Sequence, residues 1–146
     1  MEEREFMALA LHEAKAALSQ GEVPVGAIIV KDGTIIAKGC NTREQDNDIS
    51  GHAEIVALKK AAKALGHWNL EGCQMYVTLE PCLMCAGAIL QSRLSYLCFA
   101  AKDEKEGAIV SRYHVYDGVK HAPLIAFGCE EEASSELLKS FFASRR

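Results

Sequence analysis

The sequence predicts an α/β protein in which helices flank both faces of a mixed five-stranded sheet, giving three layers, α/β/α. Two observations support this. Apolar β-branched runs alternate with Ala- and Leu-rich stretches, and two of the runs are joined by Asp32-Gly33, a hairpin signal. A hairpin followed by strand–helix–strand units implies an antiparallel pair joined to parallel crossovers. At 146 residues, we expect a single domain spanning 1–146.

The first half of the chain is predicted to form a helix, the hairpin and a second helix. Residues 3–21 are rich in Ala and Leu and stop at Gly21, as a helix with a glycine cap does. The hairpin occupies residues 23–40, and a polar loop follows. The second helix stops at Gly66 and carries apolar residues at helical spacing. These apolar residues are Ile55, Leu58, Ala62 and Leu65.

The second half is predicted to alternate strands with helices. The predicted elements are a strand at 73–79, a helix at 81–93, strands at 94–101 and 122–128, and a helix at 130–146. Pro81 is expected in the first turn of its helix, where a missing N–H costs nothing. Residues 102–118 mix polar and aromatic side chains, and the pattern assigns them neither a helix nor a strand.

Composition and charge limit the function classes. With 49% hydrophobic and 25% charged residues, the chain is predicted to be globular, and no apolar run reaches the roughly 20 residues that cross a bilayer. The start, "MEEREFM", is acidic where a secretory leader is basic and then apolar, so we expect a cytoplasmic protein with reduced cysteines. A net charge of −4 disfavours broad nucleic-acid binding but leaves room for a local basic patch.

Two cysteines three positions apart, Cys82 and Cys85, follow Pro81 at a predicted strand-to-helix junction. On their own they fit three interpretations. A redox pair is typical of thioredoxin-like proteins, where a helix N-terminus lowers a thiol pKa. A structural zinc site needs a second pair of Cys or His ligands at similar spacing, which the sequence lacks. The third interpretation is a pair of buried core thiols.

A second motif, upstream, favours a catalytic metal. His52 and Glu54 open one predicted helix much as the cysteines open the next. In neighbouring parallel βα units both helix N-termini face the same edge of the sheet, so we expect these side chains to converge there. One imidazole and two thiolates leave a fourth position open, the pattern of a catalytic zinc, here one Zn²⁺ per chain. A carboxylate beside such a metal transfers protons, the role predicted for Glu54.

The two motifs, H-x-E and then P-C-x-x-C, are the signature of zinc-dependent deaminases. The chain resembles the cytidine deaminase superfamily and, within it, the bacterial tRNA-specific adenosine deaminases, nearly end to end. The likeness is carried by "GEVPVGAIIV", "LEGCQMYVTLEPCLMCAGAI" and "LLKSFFASRR". It implies a cytidine-deaminase-like fold and zinc-dependent hydrolytic deamination of a nucleobase amine. The implied substrate is wobble adenosine in a tRNA anticodon loop, converted to inosine.

The resemblance also implies substrate contacts. Asn41 matches an asparagine that hydrogen-bonds the base, and Val25 matches an apolar residue that packs on the base face. Asp103 matches an aspartate of the family and is a candidate substrate or RNA contact. Judged from the residue alone, Asn41 also has a simpler role open to it, as the cap of the turn after its strand.

The resemblance implies a C-terminal helix close to bound RNA, with Phe142 and Arg145 as candidate contacts. Phe141 and Phe142 are adjacent, so we expect one ring to face the core and the other to face outward. The family is generally homodimeric, with the active site near the interface, so a homodimer is implied as well.

One segment departs from the family pattern. After "FAAKDEKEG" the family typically continues with a small Gly- and Ser-rich loop, whereas residues 109–118 are "IVSRYHVYDG". Its residues Tyr113, His114 and Tyr116 are candidates either for stacking on bases or for packing onto the core. Because the segment flanks the active-site mouth in the family, its departure and the acidic net charge favour an alternative substrate. That alternative is a free base or nucleoside: guanine, cytosine, adenosine or a modified base.

Two further alternatives lie outside enzymology. A thioredoxin-like redox protein predicts a thiol–disulfide couple between Cys82 and Cys85 with no bound metal. A catalytically inactive RNA-binding module is the other, and the presence of Glu54 argues against it.

Overall fold

The computed structural model describes residues 1–144. This part of the chain contains four helices and five strands. In chain order they are α1 (Glu3–Ser19), β1 (Gly26–Lys31), β2 (Thr34–Cys40), α2 (Ala53–Leu65), β3 (Cys73–Leu79), α3 (Leu83–Ser92), β4 (Tyr96–Ala101), β5 (Leu124–Phe127) and α4 (Glu131–Ala143). The predicted order of elements is confirmed. None of these helices is long and apolar enough to cross a membrane.

The five strands form one mixed sheet in the order β2-β1-β3-β4-β5. Strand β1 pairs antiparallel with both β2 and β3, whereas β4 runs parallel to β3 and β5 runs parallel to β4. The β1–β2 hairpin turns at Asp32 and Gly33, whose φ angles are 51° and 76°. Positive φ at both central residues is what a tight two-residue hairpin turn requires, so the hairpin prediction is confirmed.

Helices cover both faces of the sheet, which gives the predicted three layers. Helices α2 and α3 pack on one face, against a cluster that includes Ile29, Met75 and Phe99. Helix α1 packs on the other face, against Ile28 and Tyr76, and α4 contacts α1 and lies beside it. The alternation of Ile28 and Ile29 between the two faces follows from the two-residue period of a strand.

Two glycines allow helices to lie directly against the sheet. A Cβ on Gly26 would lie 2.5 Å from the backbone nitrogen of Ala14 in α1, and a Cβ on Gly39 would lie 2.6 Å from the carbonyl oxygen of Ala53 in α2. Such distances are far below van der Waals contact, so only glycine permits this approach. The helix residues that meet the sheet here are alanines, fully buried: Ala10, Ala14, Ala53 and Ala57.

The buried face of α2 differs from the one that its apolar spacing predicts. Of the predicted residues only Leu58 is buried, while Leu65 is 36% exposed. The other residues at helical spacing, Ile55, Ala62 and Leu65, are half-buried or exposed. The reason is the close approach at Gly39, which places small side chains rather than large ones against the strand. The buried set is Ala53, Glu54, Ala57, Leu58 and Ala61.

The link between β3 and α3 is longer than predicted. Helix α3 begins at Leu83 with Cys82 at its N-cap, so Pro81 precedes the helix instead of lying in its first turn. Glu80 and Pro81 therefore form a short extended link at the edge of the sheet. Between Ala101 and Leu124 the chain makes turns without a helix or a strand, in keeping with the irregular pattern of that stretch.

Candidate metal centre and active site

Three predicted metal ligands converge at one edge of the sheet. The Nδ1 atom of His52 lies 3.6 Å from the Sγ of Cys82 and 3.4 Å from the Sγ of Cys85. All three ligand atoms lie within 4.8 Å of one another. With Zn–S near 2.3 Å and Zn–N near 2.0 Å, a tetrahedral zinc holds N and S ligands about 3.5 Å apart. The side chains as they stand therefore fit a zinc ion with three protein ligands.

The topology of the sheet explains the convergence. Strands β2 and β3 are both antiparallel to β1, which lies between them, so they run in the same direction. Their carboxyl ends meet one edge, where His52 is the N-cap of α2 and Cys82 the N-cap of α3. The prediction of neighbouring parallel units was wrong, because β1 separates the two strands. The convergence holds nonetheless, since it depends on strand direction and not on adjacency.

The electrostatics of the cluster favour a thiolate. A hydrogen bond from the Cys85 thiol, helped by one from His52, lowers the pKa of Cys82 to about 4. The same sulfur–sulfur hydrogen bond, together with burial, raises the pKa of Cys85. The hydrogen bond with Cys82 raises the pKa of the His52 imidazole. The imidazole nitrogen is a third potential metal ligand beside the two sulfurs, and a dithiol redox pair does not require it. The geometry therefore favours a metal site over the redox interpretation.

Glu54 lies in the first turn of α2, next to this cluster. It is only 4% exposed, and burial raises the pKa of its carboxyl to about 7. The nearby Cys85 side chain lowers this pKa only slightly against the effect of burial. A buried carboxyl whose pKa lies near neutrality can both accept and release a proton, which is what a general acid–base requires.

The cluster lies in a cleft of about 770 Å³ at the edge of the sheet. This volume is within the range of small-molecule sites, about 300–1,000 Å³. Val25, Asn41 and Asp103, three of the five residues predicted as substrate or RNA contacts, line it together with His52 and Glu54. The structure thus brings the predicted ligands, proton carrier and substrate contacts to one place.

Asn41 caps the turn after β2, and its side chain also lies in the wall of the cleft. Its side-chain Oδ1 accepts a hydrogen bond of 3.2 Å from the N–H of Arg43, so it does cap the turn after β2. Its own N–H donates to the carbonyl of Val25, also at 3.2 Å. These bonds hold the 6% exposed side chain in the wall of the cleft. A contact between Asn41 and a base stays a prediction.

Glu80 is a site residue whose side chain the sequence reasoning did not single out. It is 2% exposed, and its carboxylate accepts backbone hydrogen bonds of 2.8–3.1 Å from Asp103, Ile109, Val110 and Ser111. The Ser111 hydroxyl donates to it as well. Burial alone raises the pKa of the Glu80 carboxyl, but the bonds from Ser111 and the backbone hold it below the usual value. The sequence signal was an acidic residue at the end of an apolar strand.

Residues 109–118 begin beside the cleft without lining it. In the described part of the chain, its lining includes Asp103 and Glu106 but none of residues 109–118. Tyr116 is buried, and its hydroxyl donates a 2.7 Å hydrogen bond to the carbonyl of Ala86, so it packs onto the core. Tyr116 thus anchors the segment beneath α3, while its first residues, Ile109 to Ser111, contact the wall of the cleft through Glu80.

The C-terminal helix presents its two phenylalanines in opposite ways. Phe141 is 6% exposed and Phe142 is 58% exposed, as expected for one core ring and one outward ring. Contact of Phe142 with RNA stays a prediction. Arg145, the other candidate contact, lies outside the described residues.

Comparison with known proteins decides the family. The family model described as MafB19-like deaminase matches residues 1–146. Over 143 residues the chain is 47% identical to the tRNA-specific adenosine deaminase of Aquifex aeolicus, which covers 97% of this chain and 94% of that one. The chain belongs to the tRNA-specific adenosine deaminase family. The resemblance seen in the sequence is thereby confirmed.

Solved structures confirm the cytidine-deaminase-like fold of this family member. One comes from a study of A-to-I editing by tRNA:A34 deaminases at the wobble position of transfer RNA. It matches with a TM-score of 0.89 at 43% identity, over 92% of this chain and 99% of that one. The guanine deaminase of Bacillus subtilis matches with a TM-score of 0.68 at 33% identity, over 99% and 94%.

Proposed function

We propose that the chain is a zinc-dependent hydrolytic deaminase that converts wobble adenosine in a tRNA anticodon loop to inosine. The observation that carries the chemistry is the convergence of His52, Cys82 and Cys85 beside the buried Glu54, in a cleft large enough for a base. The choice of substrate rests on relatives named as tRNA-specific adenosine deaminases, which align along nearly the whole chain.

One zinc ion per chain is proposed, with His52, Cys82 and Cys85 as its ligands. Three protein donors leave one coordination position open, and two thiolates balance the charge of Zn²⁺. When bound, zinc supplies Lewis acidity and lowers the pKa of water to about 7. His52 and Cys82 lie at the N-termini of α2 and α3, where the positive ends of the helix dipoles favour the anionic thiolate ligands.

The residues of the chain supply proton transfer and orientation. The Glu54 carboxylate takes a proton from the attacking water and gives it to a ring nitrogen, which makes the amino-bearing carbon electrophilic. It then takes the remaining proton from the added hydroxyl and passes it to the leaving amine, so that the C=O bond forms, the C–N bond breaks, one water is consumed and one ammonia is released. Asn41 hydrogen-bonds the base, and Val25 packs against its face. The position of both side chains in the cleft wall supports this assignment.

We further propose a homodimer of a single deaminase domain, residues 1–146, acting in the cytoplasm. Two exposed apolar side chains at the rim of the cleft support an interface near the active site: Leu83 is 50% exposed and Met84 is 38% exposed. Exposed apolar side chains beside a binding cleft are typical of contact surfaces.

A second candidate function is deamination of a free base or nucleoside. The structural likeness to a guanine deaminase and the net charge of −4 favour it. The divergence of residues 109–118 favours it less than the sequence alone did, because none of them is among the residues that line the cleft. Contacts with tRNA phosphates make the affinity fall as salt rises, whereas binding of a neutral base responds little to salt.

The decisive test is an ammonia-release assay on unmodified tRNA, adenosine, adenine, guanine, cytosine and cytidine, with inosine in the tRNA measured separately. Glu54→Gln keeps the size of the side chain and is expected to abolish turnover. Glu71→Gln, the same change at an exposed position away from the cleft, is the matched control and should keep it. Turnover of a free base without any turnover of tRNA would refute wobble adenosine as the substrate and support the second candidate function. Full zinc with no turnover of any substrate would refute the deaminase proposal.

A further inference from the structure

Two buried carboxylates border the cleft. Glu22 is 1% exposed and Glu80 is 2% exposed, and both line it. Burying a carboxylate is costly unless a counter-charge or several hydrogen bonds compensate for the lost water. Here backbone N–H groups of two loops provide the compensation. Each carboxylate therefore accepts the main-chain N–H hydrogen bonds of a loop, as the carbonyls of a neighbouring strand do inside a sheet.

Glu80 holds the loop that follows β4. Its Oε2 accepts hydrogen bonds from three consecutive N–H groups, those of Ile109, Val110 and Ser111, at 3.0, 2.8 and 3.1 Å. Its Oε1 accepts from the N–H of Asp103 at 3.1 Å and from the Ser111 hydroxyl. Successive N–H groups that converge on an anion form a nest. One side chain thus ties both ends of residues 103–111 to the link that carries Cys82.

The part of this loop that faces the cleft rests directly on Glu80. The Oδ1 atom of Asp103 accepts hydrogen bonds from the N–H groups of Lys105 and Glu106, at 3.1 and 3.2 Å, which closes a tight turn. A Cβ on Gly107 would overlap the Glu80 carboxyl group, so the turn packs against that group without a gap. Because Asp103 and Glu106 line the cleft, the position of this wall depends on Glu80.

Glu22 plays the same part for the loop that follows β2. Its two carboxylate oxygens accept hydrogen bonds from the N–H groups of Glu44 and Gln45, at 3.1 and 2.7 Å. This loop carries Arg43 and Ile49, which line the cleft. Glu22 itself lies in the link between α1 and β1, so it fixes the loop to the body of the fold.

The sheet order places these two loops on either side of the site. In the order β2-β1-β3-β4, one loop leaves β2 and the other leaves β4, with the ends of β1 and β3 between them. Two separate carboxylates therefore hold the two walls of one cleft. The metal ligands are the N-cap of α2 and the N-terminal residues of α3, and they take no part in either set of hydrogen bonds.

We propose that Glu22 and Glu80 are positioning residues, each of which holds one wall of the cleft and so sets how tightly the substrate is bound. The inference rests on the deaminase activity proposed above, because it concerns the cleft in which that reaction takes place. Charged acceptors make hydrogen bonds roughly twice as strong as neutral ones. Glutamine keeps the size of the side chain but replaces one accepting oxygen with a donor, so Glu22→Gln and Glu80→Gln each break part of one set.

Hydrogen–deuterium exchange of the zinc-loaded proteins tests the walls without any substrate. In Glu80→Gln, the amides of Ile109 to Ser111 should exchange about tenfold faster, while those of Glu44 and Gln45 keep their wild-type rates. In Glu22→Gln the pattern should be reversed, so each variant is the control for the other. Unchanged local exchange, or faster exchange along the whole chain, would overturn the assignment.

Kinetics then test the effect on the substrate, using whichever compound of the panel the wild type converts. Each variant should raise KM about tenfold and change kcat by less than about twofold, with zinc still at one ion per chain. Ser111→Ala removes one of the donors to Glu80 and should raise KM less than Glu80→Gln does. An unchanged KM, a loss confined to kcat or a loss of zinc would each overturn the inference. Failure of the proposed function shows instead in the wild type, as an absence of turnover on tRNA.

Discussion

The imidazole Nδ1 of His52 lies 3.4 Å from the Sγ of Cys85, although 33 positions separate the two residues in the chain. Neither local structure nor a shared helix brings them together. They meet because β2 and β3 run in the same direction and deliver the N-termini of α2 and α3 to one edge. The direction of two strands therefore positions the three proposed metal ligands.

This arrangement predicts that each ligand is necessary for zinc. In Cys85→Ser and His52→Ala, the zinc content should fall from about one ion per chain to near zero, because two donors do not complete a catalytic site. Cys129→Ser is the control, since this half-buried thiol lies between β5 and α4 and away from the cluster. The measurement is elemental analysis of the purified proteins. Zinc retained in Cys85→Ser would disprove the ligand assignment.

Removal of zinc should also lower the stability of the fold. A ligand that binds only the native state stabilises it by about 4 kcal/mol when its concentration is about 1,000 times Kd. Treatment with a strong chelator should therefore lower Tm by several degrees, and added Zn²⁺ should restore it. Calorimetry on the wild type and on Cys82→Ser provides the comparison. The Tm of the variant should not change with the chelator. An equal fall in Tm for both proteins would show that zinc bound at His52, Cys82 and Cys85 is not the source of the stabilisation.

The local features of the fold could be predicted from the sequence because they depend on neighbouring residues. The hairpin turn needs only two residues that tolerate positive φ, Asp32 and Gly33. Helix α2 ends at Gly66, which has φ 71°, as a left-handed cap requires. The convergence of the candidate metal ligands was equally accessible, because His52 and the two cysteines lie at or near the N-termini of helices that follow strands, although the exact start of α3 was not predicted.

The remaining features depend on contacts between distant segments. The set of hydrogen bonds at Glu80 joins it to residues 23 to 31 positions away, in a stretch without regular structure. No periodicity predicts such a contact. The apolar spacing of α2 does not give its buried face for a similar reason: the approach at Gly39 depends on how a helix meets a strand, and it favours Ala57 over the larger Ile55.

The position of Tyr116 predicts that the divergent segment contributes to stability and not to catalysis. Tyr116→Phe removes the donor to the carbonyl of Ala86 and should cost about 1–2 kcal/mol of unfolding free energy, because a buried acceptor loses its partner. The kcat/KM should stay within about twofold of wild type, a change below about 0.4 kcal/mol, since Tyr116 does not line the cleft and its hydroxyl bonds the backbone of α3. Urea unfolding and steady-state kinetics give the two values. A tenfold loss of kcat/KM at unchanged stability would show that this segment contributes to catalysis.

The last prediction concerns Gly39, which permits α2 to lie against β2. In Gly39→Ala, the new methyl group would meet the carbonyl of Ala53 at 2.6 Å, so the N-terminus of α2 must shift away from the strand. Overpacking of this kind costs about 1–3 kcal/mol, and it moves His52, one residue before Ala53. We therefore expect a lower urea midpoint together with weaker zinc binding. Gly87→Ala, in the exposed face of α3 with open space around its Cβ, is the control and should be neutral or stabilising by up to about 1 kcal/mol. Equal stability of the two variants would show that α2 can move freely along the sheet, whereas a loss confined to Gly39→Ala ties the metal site to this single close contact.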